Sequence, residues 1–307
     1  MQKIAVIGAG LMGHGIAQIF AVNGHEVTLV DLDENILEYA IRGIRKNLEL
    51  MAEHDVIATE DIDAAIDRVT TTTNMEKGID GADFVLEAVV ENLEVKQDLF
   101  MNLDRICPPS TILASNTSVI SITEIAQKSL YKQRIVGTHF WNPPHLIPLV
   151  EVVPGDKTAK ETVETTYQLL LDVGKHPVKV KKDVPGFVAN RLQHALWREA
   201  ISIVENGIAD AATVDECIKF GFGLRLPALG PMENADMVGN DLVLAIHDYI
   251  LEHIESSGDP SPLLREKVAN GELGFKSGQG FQQWSEEKAE LSRNNLQQYL
   301  LKVVKDM

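Results

Sequence analysis

Apolar residues arrive along this chain in short unbroken runs that alternate with stretches of helical spacing. Lys3-Ile-Ala-Val-Ile-Gly8 is a continuous apolar run of the kind used by a strand buried on both faces. The pattern turns helical over 15–22, stops at Gly24, and returns to a strand over 26–31. Further strands are predicted in a Thr-rich run after Asp67, at 82–90, 111–115, 135–138, 149–153 and 176–182. Helices are predicted between them at 33–51, 60–67, 94–106, from Ser121 onward, and at 158–173. Ser121-Ile-Thr-Glu124 fits a capping box. Such alternation argues for an α/β fold with a doubly wound, mostly parallel sheet. The texture changes after the hinge-like Asp183-Val-Pro-Gly-Phe187. Helical patterns then run almost without strands, at 187–206, 214–220, after Gly230-Pro231, and at 241–257, 263–270 and 286–304. The expected division is an α/β domain at 1–183 and an all-α domain at 184–307.

The first strand runs straight into Gly8-Ala-Gly-Leu-Met-Gly13, and the second strand ends on Asp31. A lone GxGxxG is weak. Strand, glycines, helix, strand and terminal acid in that order satisfy the dinucleotide fingerprint of a Rossmann-type sheet. Gly8 allows the tight turn, Gly10 lets the backbone approach a pyrophosphate, and Gly13 permits close helix packing. Leu11 and Met12 open the helix whose free amides and positive end hold the diphosphate. Asp31 is expected to accept from the adenosine ribose hydroxyls and to repel a 2′-phosphate. No Arg follows it in Leu32-Asp33-Glu34, so NAD is preferred over NADP. FAD, whose ADP half uses the same fingerprint, is the competing cofactor.

Polar residues at strand C-termini face the ligand crevice of such a sheet. Glu91-Asn92, Ser115-Asn116-Thr117-Ser118 and His139 all stand there. A turn containing Asn142, Pro143 and Pro144 separates His139 from a second apolar run carrying Glu151, so a short strand pair can bring the two together. An imidazole beside a carboxylate is oriented and made more basic, as a general base requires. The bland alternative is a structural His beside a surface Glu, and helix capping is the alternative for the Ser/Thr turn. Asn190, just beyond the hinge, offers either a donor to a substrate oxygen or an ordinary interdomain hydrogen bond.

Composition narrows the classes. At 307 residues the chain is long enough for two domains with proper cores. A formal charge of −17 argues against nucleic acid or an anionic membrane surface as partner. No apolar run approaches a membrane span, and no internal repeat or low-complexity tract is present. Cys107 and Cys217 are far apart and outside any metal-ligand spacing, which leads us to expect no metal, and reduced, buried thiols in a cytosolic setting. The strand beginning at Lys3 leaves no room for a targeting peptide.

With these residues lined up, the chain resembles the L-3-hydroxyacyl-CoA dehydrogenase family along nearly its whole length. The matching blocks are GAGLMGHGIA, VVENLEVKQDLF, ILASNTSVISIT, GTHFWNPPHLIPLVEVV, KKDVPGFVANRL and GFKSGQGF. The resemblance implies NAD-dependent interconversion of a 3-hydroxyacyl compound, such as 3-hydroxybutyryl-CoA, and its 3-keto form. It implies His139 as base with Glu151 paired to it, and Ser118 and Asn190 on the substrate's C3 oxygen. It further implies cofactor contacts from Glu91, Lys96, Asn142 and Lys276, and a homodimer formed through the helical domain.

Two departures bear on the substrate. CoA-using members commonly present lysines after the second helix, whereas this chain reads Glu49-Leu-Met-Ala-Glu-His-Asp55, with Arg45 and Lys46 earlier in the helix. The stretch Gly221-Phe-Gly-Leu-Arg-Leu-Pro-Ala-Leu-Gly-Pro231 is more similar to relatives acting on free hydroxy acids, such as gulonate and carnitine dehydrogenases. Arg225 there suits a free carboxylate or a domain-interface salt bridge. A free 3-hydroxy acid is therefore the alternative substrate. A non-catalytic, crystallin-like NAD-binding protein is the alternative from another class.

Overall fold

A computed structural model describes residues 2–306. The chain opens with β1 (Lys3–Ile7), α1 (Leu11–Val22), β2 (Glu26–Val30), α2 (Glu34–Glu53), α3 (Asp61–Asp67) and β3 (Val69–Thr72). It continues through α4 (Met75–Ile79), β4 (Phe84–Glu87), α5 (Leu93–Ile106), β5 (Ile112–Ser115) and α6 (Ile122–Ile125). Next come β6 (Ile135–Phe140), β7 (Leu149–Pro154), α7 (Lys160–Asp172) and β8 (His176–Lys179). The remainder is helical: α8 (Ala189–Glu205), α9 (Ala211–Phe220), α10 (Pro231–Val238), α11 (Asn240–Ile250), α12 (Pro262–Ala269) and α13 (Glu286–Asp306).

The eight strands form one sheet in the order β3-β2-β1-β4-β5-β6-β7-β8. Every neighbouring pair is parallel except β6 and β7. Alternate residues of β1 explain why both faces are covered. Ile4 and Val6 join a core with Ile16 and Phe20 of α1 and Leu37, Ile44 and Leu48 of α2. Ala5 and Ile7 join another with Ile79 of α4, Phe100 and Leu103 of α5, and Ile122 and Ile125 of α6. A strand buried on both sides has no polar face to show, hence the unbroken apolar runs. Helix starts follow the capping residues: Asp33, Asn74, Asn92 and Ser121 each accept from an amide in the first turn.

Some predicted elements end earlier than expected, and one observed element was not predicted; the strand expected over 82–90, for instance, spans only Phe84–Glu87. The helix expected over 241–257 ends at Ile250, and beyond it the Glu255 amide donates to the Glu199 carboxylate at 2.7 Å instead of continuing a helical ladder. The strand expected to reach Lys182 ends at Lys179. Helix α4 was not expected. Its five residues are too few to show a period, and Gly78 sits where a Cβ would lie 2.3 Å from Val30 Cγ2.

The chain forms two compact units, 1–190 together with 296–307, and 191–295. In the first, the last turns of α13 return to the end of α2, where Leu301 is buried with Met51 and Leu146. In the second, helices α9 to α12 bury none of their side chains. Among the exposed apolar residues there are Phe220, Leu224, Met232, Leu244, Tyr249 and Leu251. Cys107 is buried as expected; Cys217, on one of these uncovered helices, is exposed in the single chain.

Candidate active site

The glycine turn is shaped by contact rather than by flexibility. Gly8 has φ +97°, and a Cβ there would lie 2.6 Å from the Ala88 carbonyl oxygen. A Cβ on Gly13 would lie 1.7 Å from the Gly8 carbonyl oxygen, so α1 can approach β1 only without a side chain. Gly10 differs: a Cβ there meets nothing within 4 Å. It is the N-cap of α1 and supplies no side-chain cap, so the amides at the start of the helix, beside exposed Leu11, face open space. Open space above an uncapped helix N-terminus fits a diphosphate. Asp31 lies beside it. Its Oδ2 accepts from the Ala9 amide at 2.7 Å, and its Oδ1 from the Leu32 amide at 2.7 Å. The acid thus ties the end of β2 to the glycine turn, a bond that sequence reasoning missed.

His139 and Glu151 are directly opposed in the β6–β7 ladder, the only antiparallel pairing of the sheet among the described residues. Their side chains therefore share a face, and Nδ1 of His139 lies 2.7 Å from Oε2 of Glu151. Both are buried. The other Glu151 oxygen accepts from the amides of Val188 and Ala189, at 2.9 and 3.1 Å, at the start of α8. Burial pushes the Glu151 carboxyl up, yet the bonds from His139, Ala189 and Val188 outweigh it and hold the group below the usual range. A carboxylate that stays ionised against an imidazole nitrogen fixes which nitrogen carries the proton, leaving Nε2 to exchange one. The rings of Trp141 and Phe187 flank the imidazole, with centroids at 5.3 and 5.7 Å.

The side-chain Nδ2 of Asn190 donates to the Ser118 carbonyl at 2.9 Å. Because Asn190 follows Ala189, the Glu151 and Ser118 attachments meet at one point, and the four expected residues are assembled together. Glu91 holds the Ser118 turn from the other side. Its Oε1 accepts from Thr117 Oγ1, the Ser118 amide and the Val119 amide. Burial pushes the Glu91 carboxyl up, but the Thr117 hydroxyl, the Lys96 ammonium and the two amides together hold it below the usual range. Lys96 is 1% exposed, its ammonium 2.5 Å from Glu87 and 3.3 Å from Glu91.

Asn142 is exposed on the turn between β6 and β7. That turn packs on α1, where a Cβ on Gly15 would lie 2.6 Å from Pro144 Cγ. Lys175 donates to the carbonyls of Pro144 and Ile147 beneath it. His145, on the same turn, has an enclosed Nδ1 without a partner. Burial, then the Lys175 ammonium and His14, lower its pKa to about 4. Burial likewise lowers Lys175 to about 8. Arg225 and Lys276 belong to the second unit; both are exposed, with no ion-pair partner among the described residues. The described residues contain no group of His, Cys, Asp and Glu able to hold a metal, and no helix long and apolar enough to cross a membrane.

Residues 3–184 match the model of the NAD-binding domain of 3-hydroxyacyl-CoA dehydrogenase, and residues 186–284 match the model of its C-terminal domain. A 5-formyl-3-hydroxy-2-methylpyridine 4-carboxylate 5-dehydrogenase of Mesorhizobium japonicum is 38% identical over 280 residues, 91% of this chain and 90% of that protein. The mitochondrial hydroxyacyl-coenzyme A dehydrogenase of Rattus norvegicus is 38% identical over 288 residues, 92% of this chain and 90% of its own. A solved structure of a 5-formyl-3-hydroxy-2-methylpyridine 4-carboxylic acid 5-dehydrogenase, described as an NAD+ dependent dismutase, superposes with a TM-score of 0.91 at 35% identity. It covers 99% of this chain and 97% of that one.

Proposed function

The chain belongs to the 3-hydroxyacyl-CoA dehydrogenase family and is an NAD-dependent dehydrogenase acting on a CH–OH group; from that premise we propose that it interconverts a 3-hydroxyacyl compound and its 3-keto form, with His139 as base. The observation that carries this reading is the 2.7 Å bond between His139 and Glu151 at the C-terminal end of β6. NAD held at the glycine turn would supply the hydride acceptor for C3. His139 takes the hydroxyl proton on Nε2 as the hydride leaves, which avoids building positive charge on the carbon. Glu151 holds the imidazole in one tautomer and stabilises the imidazolium. Ser118 and Asn190 keep the C3 oxygen in line, a positioning effect worth a few kcal/mol at most per donor. Gly8, Gly10, Leu11, Met12 and Gly13 hold the diphosphate, and Asp31 the ribose. Glu91, Lys96, Asn142 and Lys276 keep the cofactor roles that the resemblance implies.

Of the two substrate forms, the surface favours a free acid over a CoA thioester. The end of α2, where CoA-using relatives commonly carry lysines, is acidic and already engaged. Asp55 pairs with Lys305 at 2.8 Å, His54 Nε2 lies 2.8 Å from Gln298 Oε1, and Arg45 is spent on Asp63 at 3.0 Å. A CoA nucleotide brings several phosphate charges and finds few free cations there. The pyridine carboxylate named for the Mesorhizobium relative is a substrate of the free-acid kind. Arg225 is the guanidinium assigned to such a carboxylate. Side-by-side NADH consumption with acetoacetyl-CoA and with small free β-keto acids tests this, and a clear preference for acetoacetyl-CoA overturns it. In that panel, loss of NAD reduction in His139→Ala separates catalysis from mere NAD binding.

We infer that the second unit pairs with a second copy of the chain. A stretch of 105 residues whose helices α9 to α12 bury no side chain lacks a core of its own. Sedimentation at micromolar protein should give twice the 33.8 kDa chain mass, and a monomer would remove the inference.

A further inference from the structure

β4 and β5 end side by side, and their last residues, Glu87 and Ser115, are register partners. Glu87 is 0% exposed, so its charge has to be satisfied by neighbours alone. Its Oε2 accepts from Ser115 Oγ at 2.6 Å. Its Oε1 accepts from the Val89 amide at 2.8 Å and from Lys96 Nζ at 2.5 Å. The Lys96 ammonium then reaches Glu91 Oε2, at the longer distance of 3.3 Å. The opposite Glu91 oxygen carries the three donors of the turn, Thr117 Oγ1 at 2.6 Å, the Ser118 amide at 2.8 Å and the Val119 amide at 3.1 Å. The Ser118 carbonyl in turn receives Asn190.

We propose that Glu87 is a positioning residue of this oxidoreductase site: by holding the buried Lys96 ammonium it sets where Glu91 stands, and so fixes the turn that carries Ser118. The proposal rests on the substrate-binding role given to Ser118 above.

The two distances explain why the arrangement is sensitive. Lys96 is shared unequally, closer to Glu87 than to Glu91. Glu87→Gln keeps the shape but removes the charge, leaving Glu91 as the only carboxylate beside a buried cation. The ammonium then competes with the turn amides for Glu91, and charge-assisted bonds win such contests. Lys96→Met leaves the opposite fault, a buried Glu87 without its counter-charge. Removing both charges together leaves Glu91 with its three turn donors and nothing pulling against them. The singles should therefore be worse than the double; because any buried ion pair couples this way in stability, the deciding readout is exchange at the turn itself.

The test compares the wild type, Glu87→Gln, Lys96→Met and the double variant by amide hydrogen exchange over residues 116–120, alongside steady-state rates at saturating NAD. Glu87→Gln should speed exchange at Ser118 and Val119 by about tenfold, and lower kcat by more than it raises KM for NAD. The double variant should return exchange at the turn to within about threefold of the wild type. Unchanged exchange in a folded Glu87→Gln, or a double variant whose turn exchanges as fast as the two single effects combined, overturns the proposal. Should Glu87→Gln not fold, Glu87→Asp withdraws the charge by one methylene. About threefold faster exchange is then expected, and no change overturns the proposal. Exchange reads the turn directly. If no hydroxy acid or thioester is turned over by the wild type, the reaction reading fails while the exchange result still decides the role of Glu87.

Discussion

Nδ1 of His139 and Oε2 of Glu151 lie 2.7 Å apart across a directly opposed pair of the antiparallel β6–β7 ladder. With the imidazole so held, His139→Ala should lower kcat by about 10²- to 10⁴-fold, the range for losing a general base. Glu151→Gln keeps the shape and loses the charge, so it should slow turnover while the binding of NAD, read by fluorescence titration, stays near that of the wild type. Turnover of His139→Ala equal to the wild type would remove the histidine as base.

Gly10 and Gly13 should fail in different ways when changed to Ala. At Gly13 the new Cβ meets a backbone oxygen at 1.7 Å, and the overpacking cost should reach or exceed the upper end of about 1–3 kcal/mol. At Gly10 it meets nothing within 4 Å of the protein, so the melting temperature should hold while affinity for NAD falls. Thermal melts with and without NAD separate the two. A Gly10→Ala protein with undiminished affinity would place the diphosphate elsewhere.

Asp31→Ala should loosen discrimination against NADP, since the charge facing a 2′-phosphate is gone. It should also weaken NAD, because the Ala9 amide loses its 2.7 Å acceptor. The ratio of kcat/KM for the two cofactors measures the first effect. An unchanged ratio would assign selectivity to another residue.

Acid should destabilise the first unit through His145. Its folded pKa of about 4 lies below the ordinary 6.5, so the unfolded chain takes up a proton that the folded one refuses. No cost arises above about pH 6.5. The cost grows as pH falls toward 4 and amounts to roughly 3 kcal/mol at the acid end, from the size of that shift. Lys175 and His14, the groups whose charge bears on the ring, are both bases, and among the described residues no carboxylate joins them in setting its pKa. Glu151 and Glu91, both held below the usual range, add their own losses once pH drops below the ordinary carboxylate values. His145→Gln should flatten the fall in melting temperature between pH 6.5 and 5. An unaltered slope would mean that the ring is hydrated and charges freely.

The sequence revealed His139 and Glu151 as partners because a short polar turn between two apolar runs admits few geometries and each residue type suggests a role. It did not reveal Glu87. A carboxylate at the end of an apolar strand looks like the edge of the strand, and nothing in the spacing says that a lysine nine positions later turns inward to meet it. The partners of Asp55 were hidden for the same reason, since Lys305 lies 250 residues away. Periodicity reports which face of an element is apolar. It does not report which charges that face encloses, and α4 was too short to report even that.

The one antiparallel step also sets an order of assembly. His139 and Glu151 are separated by 12 residues, whereas Ser118 and Asn190 are separated by 72. Closing the longer span costs more chain entropy and depends on more of the sheet being in place. The His139–Glu151 pair, a local product of one hairpin, is therefore expected to form before the Asn190–Ser118 bond and to outlast it on heating.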